Sequence, residues 1–301
     1  MDLFAAHYTK KRNVAVAAAR VISSSDLLVG SRRMPVNISK LYTALVDCHL
    51  TNGCEIVIDR DPKLVGLLED VQIRFLRRML GVSSNSVISP LFTETGILPI
   101  RARRLILALR YLKYLTSLPP SHYAAIALSQ NISLLDSHLP CWLSDIHAAL
   151  KHFSPHLNLP PSSELDGPHI DSLVKSLTTT VKSNLLSNLN TWSKLSLLRD
   201  RLEPRDNGLP SHKALCLRHY LTEVHNHSHR RWLTKLLCGD LVPLLFRASA
   251  STLRNLSPEE SNSRRCRACH NILETPQHIL LQCRALPALC VLRRDFLMSL
   301  Q

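Results

Sequence analysis

Four residues in the last part of the chain have types and spacing that state a chemistry. Cys266-Arg-Ala-Cys269 is followed by eight residues, then His278, then four residues, then Cys283. A Cys-x-x-Cys pair fits a tight turn and grips one face of a metal ion. A His and a Cys five positions apart on a short helix close the other face. Three thiolates and one imidazole make a closed tetrahedral centre, the structural kind of zinc site with no open position for a substrate. Arg264, Arg265 and Arg267 flank the first pair, and their charge favours thiolate over thiol. Thr275 and Pro276 read as the cap and first residue of a helix, and Ile279, Leu280 and Leu281 supply a small apolar face. His270 and Cys290 stand near enough in sequence to replace a ligand. The competing reading is a set of buried thiols beside a surface histidine. The expectation is one structural Zn2+, whose affinity then becomes folding energy for the segment.

The elements that must position such a site are helical. The chain has 301 residues, 45% hydrophobic, with only eight Gly and no bordered Asn-Gly hairpin signal, and its leucines and alanines recur at helical spacing. The expected class is mainly α: a helical thumb-like and connecting region, a helical linker domain and a small Cys-Cys-His-Cys zinc subdomain. Helices are expected over 1–30, 38–50, from Pro62 to a stop at Gly81, from Pro99 to Leu115, around 124–130 and 143–153, over 171–200, within 211–247 and over 287–300. The Pro, Ser and His content of 154–170 suggests a boundary, and the Ser, Asn and Arg content of 248–265 a second linker. The units are then 1–153, 171–247 and 266–301.

The formal charge of +14 points to a polyanion partner, most often RNA or DNA; a merely basic protein is the bland alternative. Arg74, Arg77, Arg78, Arg101, Arg103, Arg104 and Arg110 come from two helices expected to pack together. On an outer face they would neutralise phosphates without reading bases. With Glu69, Asp70 and Glu94 nearby, the same row could equally be an ordinary solvated face. The opening Met1-Asp-Leu-Phe4 lacks the basic start and apolar core of a secretory leader, and no apolar run reaches the roughly 18 residues of a membrane span. An intracellular protein, nuclear or cytoplasmic, is expected, its nine cysteines free or on metal. Cys48 and Cys54 are accordingly expected as two separate thiols.

Between Leu41 and Pro120 the wording becomes specific. It runs Leu41-Tyr-Thr-Ala-Leu-Val-Asp-Cys-His-Leu50, Thr51-Asn-Gly-Cys-Glu55, Leu68-Glu-Asp-Val-Gln72, Phe75-Leu-Arg-Arg-Met-Leu-Gly81 and Leu91-Phe-Thr-Glu-Thr-Gly-Ile-Leu-Pro-Ile-Arg-Ala-Arg-Arg104. This block resembles the region downstream of the polymerase core in reverse transcriptases of non-LTR retroelements, particularly fungal ones. There a helical thumb and a connecting region follow the palm. The Cys-Cys-His-Cys segment resembles the zinc motif such proteins carry near their C-terminus. The resemblance covers 1–153 and 266–283; the stretch 160–260 matches only in character. It implies nucleic-acid binding, and a thumb without its palm would leave apolar surface for a protein partner to cover.

The departure from that family is chemical. A polymerase needs paired carboxylates to hold two divalent metals in line with the transferred phosphoryl group. No Asp-Asp pair occurs in this chain. The expectation is a non-catalytic fragment or remnant that binds nucleic acid; a helical protein-interaction module without that affinity is the alternative. His225-Asn-His227-Ser-His229 admits a third reading, a His-dependent metallohydrolase, but only Glu223 accompanies it as a carboxylate. Trp142, Trp192 and Trp232 read as core anchors rather than base-stacking platforms.

Overall fold

The chain begins with a helix whose core-facing residues fall one heptad apart. In α1 (Ala5–Val29) Tyr8, Ala15 and Ile22 are buried in a single stripe. The computed structural model describes residues 4–29, 34–204, 208–240, 265–266, 268–272 and 278–298. Among them secondary structure is helical, and extended pairing is limited to two isolated bridges, Thr95 with Leu217 and Glu203 with Ser211. The expected mainly α class is what the chain adopts.

Helix α2 (Pro35–Tyr42) runs through a π-helical turn, Thr43–Asp47, into α3 (Cys48–Thr51). The wide turn shifts the register of the helix by a residue. Val46 and Leu50 therefore face the core, while Leu45 is 43% exposed. Asn52-Gly53 ends the helix, with Gly53 at φ +70°.

Helix α4 (Pro62–Leu80) starts and stops on its sequence signals. The Asp61 carboxylate accepts from the Lys63 N–H, Pro62 occupies the first turn, and Gly81 closes the helix in the left-handed conformation. The Val82 N–H donates back to the Arg77 carbonyl, which completes the C-terminal motif. Its buried face carries Val65, Leu68, Val71, Phe75, Leu76 and Leu80. Helix α5 (Ser89–Thr95) was not expected. All seven of its residues are buried, so it has no polar face to give it a period.

Helix α6 (Ile100–Thr116) begins at Pro99, which offers no capping side chain. Gln72 of α4 does the work instead. Its Oε1 accepts from the Ile100 N–H at 2.7 Å, and its Nε2 donates to Tyr42 Oη and to the Leu98 carbonyl. Helices α7 (Tyr123–Asp136) and α8 (Trp142–Lys151) pack on α6.

The irregular stretch 154–166, with a 3-10 turn at Ser162–Glu164, joins two parts of one core rather than two cores. Beyond it α9 (Gly167–Thr191) lies on α5 and α6. It buries Ile170, Leu173, Leu177, Val181 and Leu185 in the same cluster that holds Tyr8 and Leu50. Five such side chains contribute on the order of 10 kcal/mol of apolar transfer. The chain's own α9 thus covers part of the surface that 1–153 alone would expose. A 3-10 stretch, Ser193–Leu198, then leads to α10 (His219–Glu223) and α11 (His227–Leu237). The closing helix α12 (Pro287–Met298) follows a π-helical turn at His278–Gln282. The expected linker 248–265 lies outside the described residues except Arg265, and Thr275 and Pro276 lie outside them as well.

Candidate metal centre

The structure brings Cys266, Cys269, His278 and Cys283 together, with all four ligand atoms within 4.8 Å of one another. Cys266 Sγ stands 3.8 Å from Cys283 Sγ, and Cys269 Sγ stands 3.3 Å from His278 Nε2. A tetrahedron with metal–sulfur bonds of about 2.3 Å has sulfur–sulfur edges of about 3.8 Å, so these separations fit one small ion at the centre. Cys266, His278 and Cys283 are buried. Four such donors would complete the shell of a tetrahedral ion.

Local folding accounts for the arrangement. Cys266 and Cys269 lie in a turn closed by two main-chain bonds, His270 N–H to the Cys266 carbonyl and Cys266 N–H to the Ile272 carbonyl. His270 takes a φ of +57° at that bend and is itself exposed. The N–H groups of Asn271 and Ile272 point at the Cys269 sulfur, and with His278 they bring its pKa down to about 6. Cys269 therefore reaches neutral pH as a ready thiolate donor. Cys283 accepts from the Ala285 N–H, which lowers its pKa, yet burial and the adjacent Cys266 thiol outweigh that and raise it. A cation between the two sulfurs would reverse that penalty.

On the other side, the π-helical turn carries His278 and delivers Cys283, whose N–H donates to the His278 carbonyl. Arg293 of α12 fastens this turn. Its guanidinium donates to the carbonyls of Ile279, Leu280 and Cys283. Sequence reasoning did not single out Arg293; its only mark was a cation following a turn whose carbonyls need donors. Cys290 directs its sulfur to the Cys283 and Arg284 carbonyls, and neither Cys290 nor His270 joins the four. Among the described residues this is the one group of three or more His, Cys, Asp or Glu placed to hold a metal, and the run His225, His227, His229 forms none.

The arginine row divides: Arg74, Arg78 and Arg110 are exposed, Arg77, Arg101 and Arg103 are half-buried, and Arg104 alone departs from the outer face expected for it. Arg104 is 1% exposed, and its guanidinium forks onto the Asp59 carboxylate at 2.8 and 2.9 Å. It is wall material of the core and cannot reach a phosphate. Arg101 pairs with Glu69 in a bidentate bond that ties α6 to α4, and Arg103 pairs with the buried Asp47. Arg74 pairs with Asp70 one turn away, and Arg77 donates to the Ser86 carbonyl. Arg78 and Arg110 are exposed with no carboxylate partner among the described residues, as is Arg265; Arg264 and Arg267 lie outside them. Glu94, expected on the surface, is buried between Arg201 at 3.1 Å and Arg218 at 3.2 Å, and both arginines also bind Glu203.

The tryptophans divide. Trp142 packs on Tyr111 and donates to the Glu55 carbonyl, as a core anchor should. Trp232 is 59% exposed with Lys235 over its ring, and Trp192 is also at the surface; both depart from the expected core role. Cys48 and Cys54 are free thiols, as expected. Among the described residues no helix is long and apolar enough to cross a membrane. Comparison with protein-family models, curated proteins and solved structures finds no match.

Proposed function

We propose that the chain is a non-catalytic nucleic-acid-binding protein, without sequence preference between RNA and DNA sites, whose C-terminal segment is held by one structural zinc ion. We read it as a remnant of a non-LTR retroelement reverse transcriptase, on the strength of the sequence block from Leu41 to Arg104 and the absence of an Asp-Asp pair. The observation that carries the proposal is the four-ligand cluster, whose 3.8 Å sulfur pair has the edge length of a zinc tetrahedron. Support for the polyanion half is a formal charge of +14 in a fold where Glu69, Asp59, Glu94 and Glu203 are already engaged with arginines of the same chain. Arg78, Arg110 and Arg265 remain at the surface to meet phosphates.

Elemental analysis of the purified protein tests the first half. One zinc per chain is expected, and Cys266→Ser or Cys283→Ser should lose it. A metal-free protein with an ordered C-terminal segment would defeat the reading. The second half is tested with a generic oligonucleotide. Three neutralised phosphates give a loss of about 40-fold in affinity when salt rises from about 50 to 200 mM. Absence of binding at low salt favours a protein-interaction module instead. That alternative draws on one observation, the exposure of Tyr123 (89%) and Ile126 on one side of α7.

A further inference from the structure

The solvent side of α11 holds a tryptophan in water beside two cations. Trp232 is 59% exposed, and Lys235 Nζ stands 5.3 Å from the centre of its ring. Ser228, Arg231, Trp232 and Lys235 fall at the positions i, i+3, i+4 and i+7 that make one helix face. The opposite face anchors the helix. Arg230 and Thr234 are buried there, and Arg230 Nη1 donates to the Val224 carbonyl at 2.6 Å. Arg231 lies across Gly81 and is exposed. No acid occurs between Glu223 and Asp240. Those two are engaged elsewhere: Glu223 stands 4.0 Å from His219, and Asp240 accepts from the Ser83 N–H at 2.8 Å. The outer face therefore carries positive charge that its own helix does not neutralise.

An exposed indole set among such cations suits few partners. An apolar protein surface would cover the ring but strip water from Arg231 and Lys235 without supplying counter-charge. An acidic peptide would meet the charges and offer no flat ring to the indole. A polynucleotide does both, because its backbone is anionic at every residue and its bases stack on aromatic side chains. In a duplex the bases are already paired and stacked on one another, whereas in a single strand they are free to splay out. We propose that the outer face of α11 binds single-stranded nucleic acid, with Trp232 stacking on a base and Arg231 and Lys235 meeting the neighbouring phosphates. The proposal rests on the polyanion reading above, to which it adds the form of the strand and a defined contact, and it does not depend on the zinc centre.

Fluorescence anisotropy of the full chain with a labelled thymidylate strand of about twelve residues tests it, beside a duplex of the same length and a poly-glutamate competitor. At low salt the strand should bind at least about tenfold more tightly than the duplex, and Trp232→Ala should lose at least about tenfold for the strand with its salt dependence unchanged. Trp232→Phe keeps a ring and should lose less. Arg231→Ala should instead reduce the logarithmic salt slope by about one. Both side chains are exposed, so the unfolding midpoints of these variants should stay near the parent's, and the strand-to-duplex ratio needs no variant at all. A duplex or poly-glutamate bound as tightly as the strand, or a Trp232→Ala protein that binds like the parent, overturns the proposal. If oligonucleotides still bind with a steep salt dependence in that case, the surface reading survives and only the α11 contact fails. Absence of binding to strand and duplex alike at low salt defeats both.

Discussion

Replacing Asp59 by Ala should remove a large share of the fold's stability. The Asp59 carboxylate accepts from Arg104 Nε and Nη2 at 2.8 and 2.9 Å and from Tyr8 Oη at 2.5 Å. It joins α1 and α6 through one acceptor group in the core. Without it the Arg104 guanidinium keeps only the Leu50 carbonyl and the face of the Tyr8 ring, 5.5 Å away. The Tyr8 hydroxyl loses its acceptor too. Breaking a buried pair by removing one partner costs about 3–5 kcal/mol, against a typical total of about 5–15. Urea unfolding followed by circular dichroism measures this, with an unchanged slope showing that the midpoint shift is one of stability. The double variant Asp59→Leu/Arg104→Met removes both charges and should be less destabilised than Asp59→Ala alone. A loss below about 1 kcal/mol for Asp59→Ala, or a double variant no better than the single, would refute the view that the charge of Arg104 is held by this carboxylate.

Two further outcomes follow from neighbouring contacts. Arg293→Ala leaves all four metal ligands in place but frees the turn between His278 and Cys283, so zinc affinity measured by chelator competition should fall about 10–100-fold while the helical body unfolds at the parent midpoint; an unchanged affinity would remove Arg293 from the site. For Glu203, burial raises the carboxyl pKa, but the His219 N–H and the guanidinium groups of Arg201 and Arg218 outweigh it and hold it below the usual glutamate range. Its folded pKa is depressed, so its contribution is present above the ordinary glutamate value and lost as pH falls through the folded one. Thermal melts should show the parent losing stability on acidification where Glu203→Gln, already weaker at neutral pH, changes less; parallel profiles would contradict this.

Where a signal was local, the sequence carried it. Asp61, Pro62 and Gly81 mark both ends of α4 because a cap, a fixed φ and a left-handed residue act within one turn. The cluster of Cys266, Cys269, His278 and Cys283 was legible for the same reason, since their spacing falls within eighteen positions of chain. The arginines of α6 were not. Arg101, Arg103 and Arg104 lie within four positions of one another, and which of them goes inside is decided by acids far along the chain: Glu69, Asp47 and Asp59. The exposure of Leu45 was not legible either, because a π-helical turn leaves no mark in apolar periodicity. Helix α5 was overlooked because burial on every side erases the pattern by which helices are recognised. Trp232 shows the converse, an apolar residue type kept in water beside a lysine.

The seam at 154–166 has a practical meaning for how the polypeptide could be divided. Ile170, Leu177 and Val181 sit in one interior with residues contributed by α1 and α6, so the peptide link between them holds less than the packing does. A polypeptide severed at this surface stretch would leave two partners with matching oily faces. Synthesised separately, they should find each other and reassemble, and either one kept alone should be sticky.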